Sequence, residues 1–207
     1  CLKGCPYCLA RKLANGWLKT LYLNNPNTSD GQYHYDPFYP RFWRERLAEP
    51  AKTKESSGIF ICDMADLFGD NIPIKWQESI FNVMRQTSQH CYYILTKRPL
   101  NLARVKNYPV NCSVGISGTK KSQFMPAMKG LSEIQCNSRF LSVEPMLDSI
   151  LPNILPKEWG LINLVIIGQL TPPTKTTRPS EESITNLVDA CNKYGIKVSI
   201  EPNLRSK

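Results

Sequence analysis

Six short apolar runs limit what this chain can fold into. They lie at 58–62 (Gly-Ile-Phe-Ile-Cys), 92–96, 112–116, 140–143, 164–167 and 197–200. Each is rich in β-branched residues and bounded by turn or polar residues, the pattern of strands buried on both faces. Helical patterns fall between several of them. Pro73 suits the first turn of a helix over 74–89, where Trp76, Ile80, Val83 and Met84 recur at helical spacing. Ser180 reads as an N-cap, with Glu181 and Glu182 in the first turn. Ile184, Leu187, Val188 and Cys191 form its apolar stripe, and Gly195 terminates it. The stretch from Pro6 to about Trp17 is also expected to be helical. Strand, helix and strand in repetition imply parallel βα units. The expected fold class is α/β, a partial (β/α) barrel forming one domain over 1–207, with a doubly wound open sheet as the alternative. In either, ligands gather at the carboxyl ends of the strands.

A chain of 207 residues, 42% hydrophobic and 21% charged, suits one core and excludes a disordered class. The longest apolar stretches, such as 161–167, are too short to span a bilayer, and no signal-peptide pattern is seen. A cytoplasmic protein without a membrane partner is therefore expected. The net charge of +9 fits nucleic acid, nucleotides or an acidic partner. It fits a solvated lysine-rich surface equally, because no long Lys/Arg run is present. The region 24–50, dominated by Pro, Tyr, Asn and Trp, reads as a loop-like insertion. It is either a lid facing substrate or an ordered surface loop whose aromatics pack on the barrel.

Of the eight cysteines, Cys1, Cys5 and Cys8 crowd the first eight positions. Such a cluster in a chain with an ample core points to a metal site more than to a disulfide framework. Cys62, Cys112 and Cys191 sit in or beside apolar runs, where inert packing is expected. A zinc site wants a fourth Cys or His, and His34 and His90 form no ligand-like pair. A 4Fe-4S cluster on three cysteines leaves one iron open.

The spacing of three then two, with Tyr7 as the aromatic before the last cysteine, resembles the signature of the radical S-adenosylmethionine (SAM) superfamily. CPYCLARKLA, DMADLFGD, ILTKRP, FLSVEPML and VIIG, in this order, resemble a phage-associated family of small radical SAM proteins over most of the chain. The resemblance implies a 4Fe-4S cluster on Cys1, Cys5 and Cys8 with SAM on the open iron. It implies a one-electron reductant such as flavodoxin or ferredoxin. SAM would be cleaved to methionine and a 5′-deoxyadenosyl radical that abstracts hydrogen from an unidentified substrate. A nucleotide or nucleic-acid base is one candidate. Two departures put substrate contacts in doubt. Gly168-Gln169-Leu170-Thr171 stands where relatives tend to show Gly-Gly-Glu-Ser, and Ile200-Glu201-Pro202-Asn203 where relatives often have Lys-Gln. The strand expected ahead of the cysteine loop would precede Cys1.

Several polar residues directly follow a strand. The resemblance places Asp63, Met64 and Asp66 against the SAM amino group; a capping aspartate is the structural alternative. Thr96, Lys97 and Arg98 put two cations at a strand end, where they suit a carboxylate or phosphate. Ser117 is a candidate for the SAM ribose, or a turn serine. Glu144 is a candidate for a ribose hydroxyl or the substrate, or for an ion pair with Lys97 or Arg98. Gln169 and Glu201 are weaker candidates of the same type. The expected set is Lys97 and Glu144 as catalytic residues, with Tyr7, Asp63, Met64, Asp66, Ser117 and Glu144 at the cofactor. The rival function is a zinc- or iron–sulfur-stabilised nucleic-acid-binding protein without catalysis, which suits the basic charge and the aromatic insertion.

Overall fold

The structure, a computed structural model, describes residues 5–149, 156–175 and 177–205. The elements run α1 (Leu9–Asn15), α2 (Lys19–Leu23), α3 (Glu49–Lys52), β1 (Gly58–Ile61), α4 (Ile74–Gln86), β2 (Cys91–Thr96), β3 (Cys112–Ser117) and α5 (Phe124–Ser132). They continue with β4 (Ser138–Val143), α6 (Pro156–Trp159), β5 (Leu164–Ile167), α7 (Glu181–Lys193), β6 (Lys197–Ile200) and α8 (Pro202–Arg205). The strands form one all-parallel sheet in sequence order, curled into a half-barrel. The expected α/β partial barrel is therefore present in outline.

All six apolar runs are strands, with small shifts at their ends. Cys62 falls outside β1 because its φ of 59° turns the chain sharply toward the rim. The register Ile94↔Val114, Ile116↔Leu141 and Leu141↔Val165 aligns buried side chains on the helix-covered face. Phe81 and Met84 of α4, Met128 and Leu131 of α5, and Leu187 and Cys191 of α7 complete that core. On the opposite face Leu95, Gly115 and Phe140 lie in line across β2, β3 and β4. Gly115 is bare because the Phe140 ring covers it; a Cβ there would sit 2.1 Å from the ring.

The helices differ from expectation in detail. Pro6 and Tyr7 lie in a turn, so α1 begins only at Leu9. Cys8 caps it, its Sγ accepting the Arg11 N–H at 3.4 Å. Helix α4 stops at Gln86, where the Thr87 hydroxyl turns back to donate to the Val83 carbonyl at 2.6 Å. Its fully buried residues are Gln77, Phe81 and Met84. Trp76 instead stacks on Phe42 of the insertion at 5.0 Å. Ser180 caps α7 as expected, accepting the Ser183 N–H at 3.1 Å.

The insertion is ordered about one cation. The Arg41 guanidinium donates to the carbonyls of Asn25, His34, Asp36, Pro37 and Tyr39 at 2.8 to 3.3 Å. Phe38 and Phe42 pack inward, while Tyr33 and Tyr35 stay exposed. No helix among the described residues is long and apolar enough to cross a membrane.

Candidate active site at the strand ends

The carboxyl ends of β1 to β6 share one rim because the sheet is parallel and its strands run in register. Thr96 is the last residue of β2, and Lys97 follows it. Asp66, in the turn after β1, reaches across to them. It is buried, and its carboxylate accepts from the Thr96 hydroxyl at 2.8 Å, the Lys97 N–H at 3.0 Å and the Phe68 N–H at 3.0 Å. Asp66 was expected to face SAM; its oxygens are instead used to strap the end of β1 to the end of β2. The Asp63 carboxylate is exposed and accepts the Met64 N–H at 2.8 Å, and Met64 is half-buried beside it.

Strapped in this way, the Lys97 backbone sends its side chain toward β3. Its ammonium donates to the Ser117 hydroxyl at 2.6 Å. Arg98 diverges and pairs with Asp70 at 3.3 Å. The ion pair with Glu144, the structural alternative for that residue, is thus not the principal contact of either cation. Glu144 follows β4, half-buried, and accepts the Ser142 hydroxyl at 3.1 Å. Its carboxylate rests over Gly168 at the end of β5, where a Cβ would meet Oε1 at 2.6 Å. Burial pushes the Glu144 carboxyl above its usual range, the Ser142 hydroxyl opposes this, nearby Glu201 adds to it, and Lys97 opposes it. Gln169 donates to the Asn203 carbonyl, and Asn203 Nδ2 returns a bond to the Gln169 carbonyl at 2.9 Å. A polar arc therefore runs from Lys97 through Ser117, Ser142 and Glu144 to Glu201.

The cysteine turn docks on this rim. Tyr7 donates to the Thr119 hydroxyl at 3.4 Å, just past the end of β3. Thr119 is fixed in turn by Gln123, whose side-chain oxygen accepts the Thr119 N–H at 2.7 Å and its hydroxyl at 3.1 Å. Burial raises the Tyr7 hydroxyl pKa, the Thr119 bond opposes that, and the neighbouring Cys5 and Cys8 thiols add to it. Cys5 and Cys8 are half-buried free thiols on one turn, joined by the Cys8 N–H bond to the Cys5 carbonyl at 3.0 Å. Cys1 lies outside the described residues, and among those described no group of three Cys, His, Asp or Glu gathers as a metal would need.

The other cysteines and histidines are held elsewhere. Burial pushes the thiols of Cys62 and Cys112 up to about 12 and that of Cys191 to about 11, which keeps them protonated and inert. His90 accepts the Ser57 N–H on Nδ1 at 3.3 Å and lies 3.0 Å from the Pro50 carbonyl through Nε2. His34 is held by Asp30 at 2.9 Å.

Sequence reasoning named Lys97, Ser117 and Glu144, and the structure gathers them. It missed Thr119 and Ser142, the partners that anchor Tyr7 and Glu144. Their signal was weak: a small hydroxyl at or just past a strand end, as common in turns as in sites. The chain matches no curated protein and no solved structure. A family model described as "Protein of unknown function (DUF5131)" matches residues 1–200, and with that coverage the chain belongs to this family.

Proposed function

We propose that this protein is a radical SAM enzyme. The observation that carries the reading is the docking of the Cys5–Tyr7–Cys8 turn, through Tyr7 and Thr119, onto the rim that holds Lys97, Ser117 and Glu144. Cys5 and Cys8, with Cys1, are the residues that would hold a 4Fe-4S cluster. Thiolates on one short turn suit iron–sulfur chemistry and do not suit a hard cation such as magnesium. When bound, the cluster and SAM supply a one-electron reductive cleavage yielding the 5′-deoxyadenosyl radical.

The chain's own residues bind and orient. Tyr7 and Thr119 fix the height of the cysteine turn above β3. Asp66 fixes the Lys97 backbone, so the ammonium is aimed along the rim and offers a partner to a carboxylate or phosphate. Exposed Asp63, its carboxylate oriented by the Met64 N–H, offers a partner to an ammonium. Glu144, with a raised pKa, can hold a proton at its carboxyl or accept one from a hydroxyl or amine. The reductant is a flavodoxin- or ferredoxin-like protein, and the substrate carries an unactivated C–H bond.

Anaerobic reconstitution with iron and sulfide tests this. Electron paramagnetic resonance of the reduced protein should show a 4Fe-4S signal that shifts when SAM is added, with 5′-deoxyadenosine released. Cys5→Ala and Cys8→Ala should each abolish the signal. A colourless zinc protein, or a cluster signal indifferent to SAM, would overturn the reading in favour of the non-catalytic binding protein.

A further inference from the structure

Glu144, Gly168 and Glu201 stand on one level at the ends of β4, β5 and β6, because each follows a residue of the register Val143↔Ile167↔Ile200. Alternation along a strand turns all three to the face that carries Phe140 and Ser142. Gly168 brings no side chain, and the space above it belongs to Glu144: a Cβ there would meet Oε1 at 2.6 Å. Glu201 flanks the same space. Burial raises the Glu144 pKa, and Glu201 is close enough to add to the effect. Neither carboxylate meets a cation among the described residues, whose ion pairs are Arg11–Asp36, His34–Asp30, Arg46–Glu49 and Arg98–Asp70.

Donors lie on the other side. Ser117 and Ser142 are in register across β3 and β4, and both are buried, at 5% and 1% exposure. Ser142 gives its proton to Glu144 at 3.1 Å. Ser117 accepts from the Lys97 ammonium at 2.6 Å, and its own O–H reaches no acceptor among the described residues. A buried hydroxyl with an unspent proton calls for an acceptor that the chain does not supply. The Lys97 ammonium also keeps two further N–H groups. Cation and carboxylate are thus each tethered to a buried hydroxyl, on strands about 4.8 Å apart, and do not close on one another. Leu95, Phe140 and Ile166 supply apolar surface on the same face.

We propose that this row binds a free α-amino acid, its carboxylate held by Lys97 and the Ser117 hydroxyl, its ammonium by Glu144 and Glu201. A dicarboxylate or a phosphate is repelled at the Glu144–Glu201 end, and a diamine at the Lys97 end. A neutral sugar would cover three charges and pair none of them with an opposite charge. A peptide terminus brings only one of the two charges. An α-amino acid carries both, separated by a single carbon, and accepts the Ser117 proton that nothing else takes up. Its side chain then lies toward Phe140 and Ile166. The cysteine turn docks past the end of β3, and Asp63 offers the SAM ammonium its partner past β1, so the β4 to β6 end is left for a second molecule. The identification of the amino acid as that enzyme's substrate rests on the radical SAM reading; the binding itself does not.

The test is calorimetric titration of the cluster-free full chain with L-leucine, L-phenylalanine and L-lysine. Each is compared with its amide, which lacks the carboxylate, and with its deaminated acid, which lacks the ammonium. At least one amino acid should bind with Kd below about 1 mM. Its amide and its deaminated acid should each bind at least about tenfold more weakly. Lys97→Met should remove the preference over the amide. Glu201→Gln should narrow the preference over the deaminated acid by about threefold. Circular dichroism checks the fold of both variants, and the comparison of ligands on the parent chain stands without them. Binding of none of the three amino acids would overturn the proposal. So would equal binding of an amino acid and its two controls, or preferences unchanged in both folded variants. Displacement of the amino acid by S-adenosylhomocysteine would make the row the cofactor's own subsite and overturn its assignment to a substrate. Because no cluster is present, failure here leaves the resonance experiment unaffected, and a negative resonance result leaves this titration unaffected.

Discussion

At the middle of the sheet, β3 and β4 are covered on both faces; at its β1 edge, the strand borders an open cavity. In β3 every residue from Val114 to Ser117 is buried, whereas β1 alternates between exposed and half-buried. The middle is held by side-chain volume: the Phe140 ring fills the place that a Cβ on Gly115 would take. The edge is held by polar ties to the backbone: Arg41 gathers five carbonyls of the insertion, and His90 joins Ser57 to the Pro50 carbonyl. Close packing tolerates no added methyl group and makes a rigid floor. Hydrogen-bonded loops over a strand edge leave room. The rim residues that need fixed geometry, Lys97, Ser117 and Glu144, stand on the packed part.

Gly115→Ala strikes the packed region hardest. The Phe140 ring must leave its place, at a cost of about 3 kcal/mol, read as a fall in Cm at constant m. An unchanged midpoint would mean that the middle of the sheet is as yielding as the edge. Arg41→Ala attacks the other side of the comparison. Five carbonyls lose their donor, and a loss of about 2 kcal/mol is expected. Hydrogen exchange should speed up over residues 24–50 and stay unchanged in β3 and β4. Spread of the effect into the sheet would show that the two regions are one cooperative unit.

Asp66→Asn tests the strap between the regions. An amide placed against the Lys97 N–H turns an acceptor into a donor, costing about 1 kcal/mol. In an enzyme assay it should lower turnover more than stability, since Lys97 loses its aim. Glu144→Gln has the smallest and most pH-dependent effect. The folded carboxyl has a raised pKa, so the native state pays for ionisation above that value and not below the ordinary carboxylate range. The variant should therefore melt higher than the parent at pH 8, with the gap closing as pH falls toward 4. A gap independent of pH would mean that Glu144 is not buried as described.

Where the signal was local and repeated, the sequence was enough to read the fold. All six apolar runs are strands, because a parallel strand covered on both faces needs a continuous run of β-branched residues. Ser180 was legible as a cap because capping depends on near neighbours. The face that α4 buries was not legible. Helical spacing allowed Trp76, Ile80 and Val83, but the insertion claimed Trp76, and Gln77 was drawn inward by the Leu67 carbonyl at 2.8 Å. Asp66 shows the same limit at the site. Among the acids at 63, 66 and 70, nothing in residue order marked the one whose oxygens would serve the backbone 31 residues on.

The sequence by itself determined the strands, their parallel order and the gathering of chemistry at their carboxyl ends, because periodicity and capping act over a few residues. It also crowded Cys5, Tyr7 and Cys8 into four consecutive positions. Only the tertiary structure decided that Tyr7 meets Thr119, that Lys97 leans on Ser117 and Arg98 on Asp70, and that Trp76 stacks on Phe42. Those pairings join residues far apart in the chain. Their free energies depend on register, curvature and burial, which exist only once the sheet has closed over its core.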